Sequence, residues 1–395
     1  MSLRAAGGAL ACALLGACPG TVVDGRESPP REPAPRPGAC PREPGPGRWE
    51  RVPAEGAPSP RAFAATTVVE GRLFVWGGYG PNGADALDGA LFDPGTLRWE
   101  ALERGGPGGD RRRLVVSPLG RRVLVWSTFE RRGAVLEVSS RRWTAVPSEG
   151  APRFAQRAVG TPQGWFVWAL GGAGEHNEVA MLDPESLRWR PVLPPLSQDA
   201  RNLSALTWTG REALVWGGTE ATFGTQPPRN DGYRYDPARD VWSSVERRGA
   251  PSPRWAPELF WTGTEALVFG GNNGSRQQWT GGLYDPVDDT WRPVASAAEV
   301  LRVREGAPTV EALGAWTGCS LFVWAGALPG DGPRAVLHDP FADRWREVAP
   351  FPGTPSQDGV VVNAVDGTVL VWGGQRGMAP RRDVTGEGWL WRAEP

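Results

Sequence analysis

The 395-residue chain contains no lysine, no isoleucine, only two histidines and only four tyrosines. All 43 basic side chains are therefore arginines, but 44 acidic residues offset them and leave a net charge of −1. A phosphate-binding surface is usually strongly basic, so this balance argues against nucleic acid as a partner. Metal sites normally need three or four convergent ligands, and histidine is scarce here. We expect neither a metal nor a cofactor.

The apolar stretch at the N-terminus is too short to span a bilayer, which takes roughly 20 residues. Residues 1–17 place Arg4 ahead of small and apolar residues, the pattern of a signal peptide. The sequence Leu-Gly-Ala-Cys that ends at Cys18 resembles the bacterial lipobox, which implies cleavage before Cys18 and lipidation of that cysteine. The alternative is an ordinary signal peptide cleaved at an Ala-x-Ala-like site.

Residues 18–47 are rich in proline, which removes backbone donors and favours extended polyproline conformations. This composition predicts a semi-rigid tether between the lipidated Cys18 and a folded part. Neither Pro19 nor Gly20 is the acidic residue that retains lipoproteins at the inner membrane of enteric bacteria. The resemblance therefore implies an exported outer-membrane or cell-surface lipoprotein that contacts the membrane only through its lipid.

The rest of the chain carries two repeated patterns. Although glycine (54) and proline (40) are abundant, 21 tryptophans and 40% hydrophobic residues indicate a folded core. One pattern is an apolar run ending in Gly-Gly, as in LFVWGG at 73–78, and the other is Asp-Pro followed by Trp, as in LFDPGTLRW at 91–99. Each pattern combines strands with a turn, so each repeat holds four strands, a to d.

The positions of the repeated aromatic residues predict how many repeats there are and how the chain closes. Strand b is marked seven times, by Trp76, Trp126, Trp168, Trp216, Phe269, Trp324 and Trp372. Strand d is marked by Trp49, Trp99, Trp143, Trp189, Trp242, Trp291 and Trp345. One strand-d tryptophan precedes the first strand b, and only a c-like segment follows the last. We therefore predict an all-β, seven-bladed propeller over residues 48–395, closed by residues 48–52 in the last blade.

These patterns are similar to the kelch repeat, and the variants resemble bacterial kelch-type propellers of the galactose oxidase central-domain class. The resemblance covers residues 48–395 and implies a rigid ring with variable loops on one face. It does not extend to a copper centre, because His338 lies in a strand-c motif and Cys319 in an a-to-b turn on the opposite face. Bacterial kelch-type sialic acid epimerases keep a carbohydrate-active enzyme open as an alternative function.

A recurring arginine is the first candidate for binding. Five repeats carry it 15 residues before the strand-b landmark: Arg61, Arg111, Arg153, Arg201 and Arg254. These positions fall near the predicted central channel, where a ring of guanidinium groups would hold a carboxylate, a sulfate or a sialic acid-like sugar. The alternative is structural, with each arginine paired to a neighbouring blade.

The b-to-c loops supply the remaining candidates on the same face. The two long loops carry Phe223 and Trp279, and Trp279 either stacks on a sugar ring or folds onto its own blade. Glu175, His176 and Glu220 leave acid/base chemistry open, although no spacing singles them out and solvated loop residues are the plainer interpretation.

Two cysteines remain in the mature chain. Cys40 lies shortly before the entering strand, and Cys319 lies in a turn that projects from the same side of the ring. An exported location permits a Cys40–Cys319 disulfide, which we predict, and two unpaired thiols are the alternative.

Together these patterns favour a monomeric, envelope-anchored binding module for a glycan or a protein, which would bind at the face formed by the d-to-a and b-to-c loops. An envelope enzyme acting on a carbohydrate, such as a sialic acid epimerase-like isomerase, is the alternative.

Overall fold

Seven antiparallel sheets of four strands each form the framework of the described part of the chain. The computed structural model describes residues 40, 45–107, 114–171, 176–195, 200–220, 227–303, 312–328, 332–354, 356, 358–376 and 383–394. The signal peptide, Cys18 and most of the tether lie outside these ranges. The predicted all-β propeller with seven four-stranded blades is confirmed.

Each of the first three blades is built from consecutive strands, and the first strand of the chain, β1 (Arg48–Arg51), joins the last blade. Blade 1 contains β2 (Ala65–Val69), β3 (Arg72–Trp76), β4 (Gly89–Asp93) and β5 (Arg98–Ala101), with a short 3-10 helix at Pro81–Gly83. Blade 2 contains β6 (Leu114–Leu119), β7 (Arg122–Ser127), β8 (Arg132–Glu137) and β9 (Arg142–Val146). Blade 3 contains β10 (Phe154–Thr161), β11 (Gly164–Leu170), β12 (Asn177–Leu182) and β13 (Trp189–Val192).

Blades 4 and 7 each carry an extra two-stranded ribbon in their loops. The ribbons are β14 (Arg201–Asn202) with β17 (Thr219–Glu220), and β30 (Gln375–Arg376) with β31 (Asp383–Val384). Blade 4 contains β15 (Ala205–Trp208), β16 (Ala213–Trp216), β18 (Gly232–Asp236) and β19 (Val241–Ser244). Blade 5 contains β20 (Glu258–Trp261), β21 (Ala266–Phe269), β22 (Gly281–Asp285) and β23 (Thr290–Val294). Blade 6 contains β24 (Ala312–Trp316), β25 (Leu321–Leu328), β26 (Gly332–Asp339) and β27 (Arg344–Glu347). Blade 7 contains β28 (Val361–Val365), β29 (Thr368–Trp372) and β32 (Gly388–Arg392), with β1 as its outer strand.

The ring closes within blade 7. Strand β1 pairs antiparallel with β32, with Trp49 opposite Trp391. The first strands of successive blades lie side by side all the way round, including β28 of blade 7 beside β2 of blade 1. The first strands therefore surround the central channel, and the prediction that the N-terminal strand completes the last blade is confirmed.

The outer-strand tryptophans bind each blade to the one before it by the same hydrogen bond. In every blade the indole N–H donates to a backbone carbonyl four residues after the outer tryptophan of the preceding blade. The donor–acceptor pairs are Trp99–Pro53, Trp143–Glu103, Trp189–Pro147, Trp242–Leu193, Trp291–Glu246, Trp345–Ala295 and, across the closure, Trp49–Ala349. Because the bond of Trp49 matches the others, the joint between the two ends of the chain repeats the geometry of every other joint.

The second strands form the core. Trp76, Trp126, Trp168, Trp216 and Trp372 have 0–1% of their surface exposed. Each fills the wedge between two blades, which explains why these strands are apolar nearly throughout rather than alternating.

The segment that enters β1 is tied to blade 6. Cys40 and Cys319 form a disulfide with their Cα atoms 5.4 Å apart, and Cys319 lies in the turn between β24 and β25. None of the helices in the described ranges has the length and apolar character to cross a membrane.

Candidate ligand site at the channel mouth

Three of the recurring arginines are buried inside the blades. Arg61, Arg201 and Arg254 are 0%, 2% and 1% exposed. In each case Nη1 donates to two backbone carbonyls of its own blade: the first glycine after the second strand, and the residue just before the third strand. These acceptor pairs are Gly77 and Asp88, Gly217 and Asp231, and Gly270 and Thr280. The guanidinium groups therefore hold the b-to-c loop onto its blade.

The main chain of the same arginines bonds to the preceding blade. The N–H of Gly374 donates to the carbonyl of Arg61 at 2.9 Å, and the N–H of Gly218 donates to that of Arg254 at 2.9 Å. Each arginine is thus a latch between two blades, with its backbone on one and its side chain on the other. The hypothesis of an open arginine ring is wrong for these residues. These arginines have the structural role that was the alternative to ligand binding. The side chain, however, pairs within its own blade and not with a neighbouring blade, as that alternative had assumed.

Burial shifts the pKa of two latch arginines, Arg61 and Arg254. Burial lowers the pKa of Arg61, although a hydrogen bond and ion pair with the Asp88 carboxylate oppose that shift. Burial also lowers the pKa of Arg254, to about 10. Both guanidinium groups remain cationic at neutral pH. Their N–H groups donate to buried carbonyls of their own blades and are therefore not available to a ligand.

The other predicted residues do not converge on one site. Arg153 is exposed on the loop face, where its Nε lies 3.7 Å from Glu178. Trp279 is only 8% exposed and packs into the core shared by blades 5 and 6, so the hypothesis that it stacks on a sugar is wrong. His176 is exposed, and Glu220 accepts a hydrogen bond from Arg229. Arg111, Glu175 and Phe223 lie outside the described residues.

The channel itself contains two charged side chains that the sequence motifs did not single out. Arg157 on β10 and Glu258 on β20 are the only charged residues in the seven first strands as the structure describes them. Each first strand begins at the d-to-a loop and ends at the a-to-b turn. Arg157 and Glu258 both lie in the half of their strand that is nearer the loop. A β-bulge at Gln156 shifts the register just before Arg157, a device that re-aims side chains.

Arg157 and Glu258 influence each other through the channel. Arg157 is exposed to solvent, yet burial by the surrounding blades lowers its pKa while the Glu258 charge opposes the shift. Burial raises the pKa of Glu258, against the influence of Arg157 and a backbone N–H of Gly314. Arg157 is therefore reached by solvent and also surrounded by protein. A side chain in a water-filled channel has this environment. The only hydrogen bond that the described residues offer Arg157 runs from Nη1 to the carbonyl of Gln156, at 3.0 Å.

An oriented amide pair lies beside Arg157. The N–H of Leu203 donates to Oδ1 of Asn202 at 2.9 Å, which assigns that atom as the oxygen. Nε2 of Gln156 therefore donates to the same oxygen, at 2.7 Å, and Oε1 of Gln156 is left buried without a partner among the described residues. The pair joins blades 3 and 4 and holds the bulge in place.

Left-handed backbone conformations recur around the mouth. Phe63, Leu203 and Ala256 each lie two residues after a latch arginine and have φ of 57°, 54° and 48°. The N–H of Ala256 donates to the carbonyl of Leu203, and the N–H of Phe63 donates to that of Gly359. Strained residues held by such cross-blade bonds give the mouth a fixed shape, and strain of this kind clusters at functional sites.

Comparison with known proteins gives a short match. No family model matches the chain. It is similar to the N-acetylneuraminate epimerases of Yersinia pestis (strain Pestoides F) and Yersinia pseudotuberculosis serotype O:1b (strain IP 31758), each 27% identical over 148 residues. The match covers 36% of this chain and 36% of each relative, so the chain spans about a third of the length of these relatives. In the described ranges, no group of three or more His, Cys, Asp or Glu side chains is placed to hold a metal ion.

Proposed function

We propose that the protein is a carbohydrate-binding module that holds an acidic sugar at the channel mouth through Arg157. The observation that carries this proposal is the environment of that guanidinium: it is open to solvent and bonded to one backbone carbonyl in the described structure. A planar guanidinium with several donors remaining matches a carboxylate in two parallel hydrogen bonds.

The location of Arg157 supports a ligand site more than a structural role. The latch arginines are fully buried and bond to several carbonyls each, whereas Arg157 lacks those acceptors. The channel mouth is also the concave part of a rigid scaffold, where ligand sites usually form. The resemblance to kelch-type propellers and the short match to N-acetylneuraminate epimerases both favour a carbohydrate as the ligand.

The proposal predicts that Arg157→Gln weakens binding of N-acetylneuraminate at least about tenfold, the effect of losing roughly 1.5–3 kcal/mol of charge-assisted hydrogen bonding. Isothermal titration calorimetry measures the change. Arg153→Gln is the matched control, because Arg153 is an exposed arginine of the same blade that lies before β10. Equal affinities in the wild type and Arg157→Gln would count against the site.

Binding should also depend on pH through Glu258. Because burial raises the pKa of this carboxyl, it takes up a proton above the usual range for glutamate as the pH falls. Protonation removes a negative charge that interacts with Arg157, so wild-type affinity should rise several-fold as the pH is lowered from 8 to the usual range for glutamate. Glu258→Gln lacks that charge at every pH, so its affinity should stay nearly flat over this range. A wild-type affinity as flat as that of the variant would remove Glu258 from the site.

An enzyme is the second candidate, favoured by the pairing of Glu258 with Arg157. A carboxyl with a raised pKa beside an anion-binding cation suits a general acid or base. Proton NMR of N-acetylneuraminate with the protein separates the two functions. Accelerated interconversion of its epimeric forms, lost in Glu258→Gln, would favour the enzyme, and binding without turnover favours the module.

The cellular address is a further part of the proposal. Residues 1–18 support export and lipidation at Cys18, and the proline-rich stretch before β1 would hold the propeller away from the membrane. Mass spectrometry of the N-terminal peptide tests this, because a diacylglyceryl group on Cys18 is the expected modification.

A further inference from the structure

A shallow cleft with an enclosed volume of only about 10 Å³ opens between blades 6 and 7, away from Arg157 and Glu258. It lies on the loop side of the ring, because its lining includes Trp372, the last residue of β29, and Gly373 directly after it. Its walls come from the d-to-a connection around Phe351 and from the start of β32 at Trp389.

Aromatic rings form one side of the cleft. Phe351 meets Trp324 edge to face, with ring centroids 4.8 Å apart and planes at 80°. Its centroid lies 6.0 Å from that of Trp389, again nearly perpendicular. Trp389 is only partly buried, so the cleft has an accessible aromatic surface of the kind on which the apolar face of a sugar ring packs.

A charged pair forms the other side. Nη2 of Arg376 donates to Oε2 of Glu387 and, at 3.0 Å, to the carbonyl of Thr354. Nε1 of Trp389 donates to Oε1 of Glu387 at 2.8 Å. Burial opposes ionisation, but hydrogen bonds from Trp389 and Arg376 outweigh it and lower the pKa of Glu387, so the carboxylate is ionised. The pair has no net charge, and therefore does not favour an ionised ligand.

Two donors in the cleft wall have no hydrogen-bond partner in the described part of the chain: Nε1 of Trp372 and Nε of Arg376. The indole N–H is unpaired at the equivalent Trp126, Trp168 and Trp216 as well, so only the Arg376 donor is particular to this cleft. A buried donor without an acceptor costs about 1–3 kcal/mol, which an incoming oxygen would recover. The enclosed part of the cleft has room for about one water-sized oxygen.

One wall of the cleft is a d-to-a connection that lacks a sequence found in four of the others. Four other d-to-a connections carry Gly-Ala-Pro, and in the three that the structure describes the alanine packs against a hydrophobic core: Ala57, Ala151 and Ala250. The connection into blade 7 has Gly353-Thr354-Pro instead, and Thr354 is exposed.

From these contacts we infer a second carbohydrate site, which takes a neutral hexopyranose ring at the end of a glycan. The ring lies over Trp389 and Phe351, and one hydroxyl oxygen enters the enclosed end near Trp372. Adjacent hydroxyls, each a donor and an acceptor, match the paired Arg376 and Glu387 side chains, while the absence of net charge selects against acidic sugars. This site does not depend on the channel site proposed above.

Saturation-transfer NMR of the full chain with the methyl pyranosides of glucose, galactose, mannose and fucose tests the inference. At least one should bind with a Kd of about 1 mM, the range of a single shallow sugar site. Trp389→Ala and Glu387→Gln should each weaken binding at least tenfold. Glu387→Gln is the gentler change, because its amide oxygen still accepts from Trp389, and circular dichroism confirms that either variant is folded.

Arg157→Gln is the control that separates the two sites and should leave pyranoside binding unchanged. The inference is overturned if none of the four pyranosides binds, if both cleft variants bind as well as the wild type, or if Arg157→Gln abolishes the binding. Failure of N-acetylneuraminate to bind would count against the channel site alone.

Discussion

A chain that begins at Pro53, and so lacks β1, should lose about 5 kcal/mol or more of its free energy of unfolding. Blade 7 would keep only β28, β29 and β32, and the edge of β32 would be open. An open edge strand is a template for pairing with another chain. The expected result is therefore a broad, low-temperature unfolding transition accompanied by aggregation.

The loss follows from the contacts of β1. The ring of Trp49 packs edge to face on Phe322, Trp324 and Phe351, with centroids 5.1–6.2 Å apart. Truncating an aromatic residue in such a cluster typically costs about 3–5 kcal/mol. Truncation also removes the ion pair between Glu50 and Arg392 and the disulfide through Cys40.

A chain that begins at Pro41 is the matched control. It keeps β1 but lacks Cys40, so it separates the strand from the disulfide. Differential scanning calorimetry should show one cooperative transition for this chain, shifted down only by the effect of the missing disulfide. The closure would not be what stabilises the ring if the chain from Pro53 unfolded as cooperatively as the chain from Pro41 and at the same temperature.

The sequence predicted the closure because the repeat has a countable phase. A strand-d tryptophan without a blade of its own, Trp49, together with a last repeat that ends after its third strand, leaves one arrangement that pairs every strand. The structure places Trp49 in that arrangement, with the same indole hydrogen bond as the other outer tryptophans. Residues that recur with the repeat predict the fold, because every blade needs the same side chains to pack against its neighbours.

The same periodicity misleads about the site. Arg61, Arg201 and Arg254 recur because every blade must hold its b-to-c loop, which is a structural requirement that repeats with the blade. A ligand site in a ring of unlike blades has no reason to repeat. Arg157 and Glu258 occur once each, in first strands that otherwise carry apolar or uncharged residues.

A signal for the channel pair was present in the sequence, but it needed the strand assignment first. Once the first strands are aligned, a charge in such a strand is an exception that burial makes costly unless it has a use. The bulge at Gln156 and the cleft beside Phe351 had no comparable signal, because both depend on which side chains meet across blades.

Arg254→Met should lower the free energy of unfolding by about 3 kcal/mol or more. The substitution leaves the carbonyls of Gly270, Thr280 and Ser252 without their guanidinium donor, and each buried acceptor left unsatisfied costs about 1–3 kcal/mol. Lysine at this position should recover only part of the loss, because a compact ammonium group cannot bond in the directions that the planar guanidinium reaches.

Arg153→Met is the internal control for this prediction, because Arg153 holds the same position in the repeat while its side chain is 60% exposed. In urea unfolding, the free energy of unfolding of this variant should lie within about 0.5 kcal/mol of the wild-type value, as for most surface substitutions. The dependence of that free energy on urea concentration should be the same in both proteins. Equal losses in the two variants would mean that burial does not distinguish the latches. A large loss in Arg254→Met alone would show that the recurring arginine stabilises the ring, and that any effect of the substitution on ligand binding should be judged against the fraction of protein that remains folded.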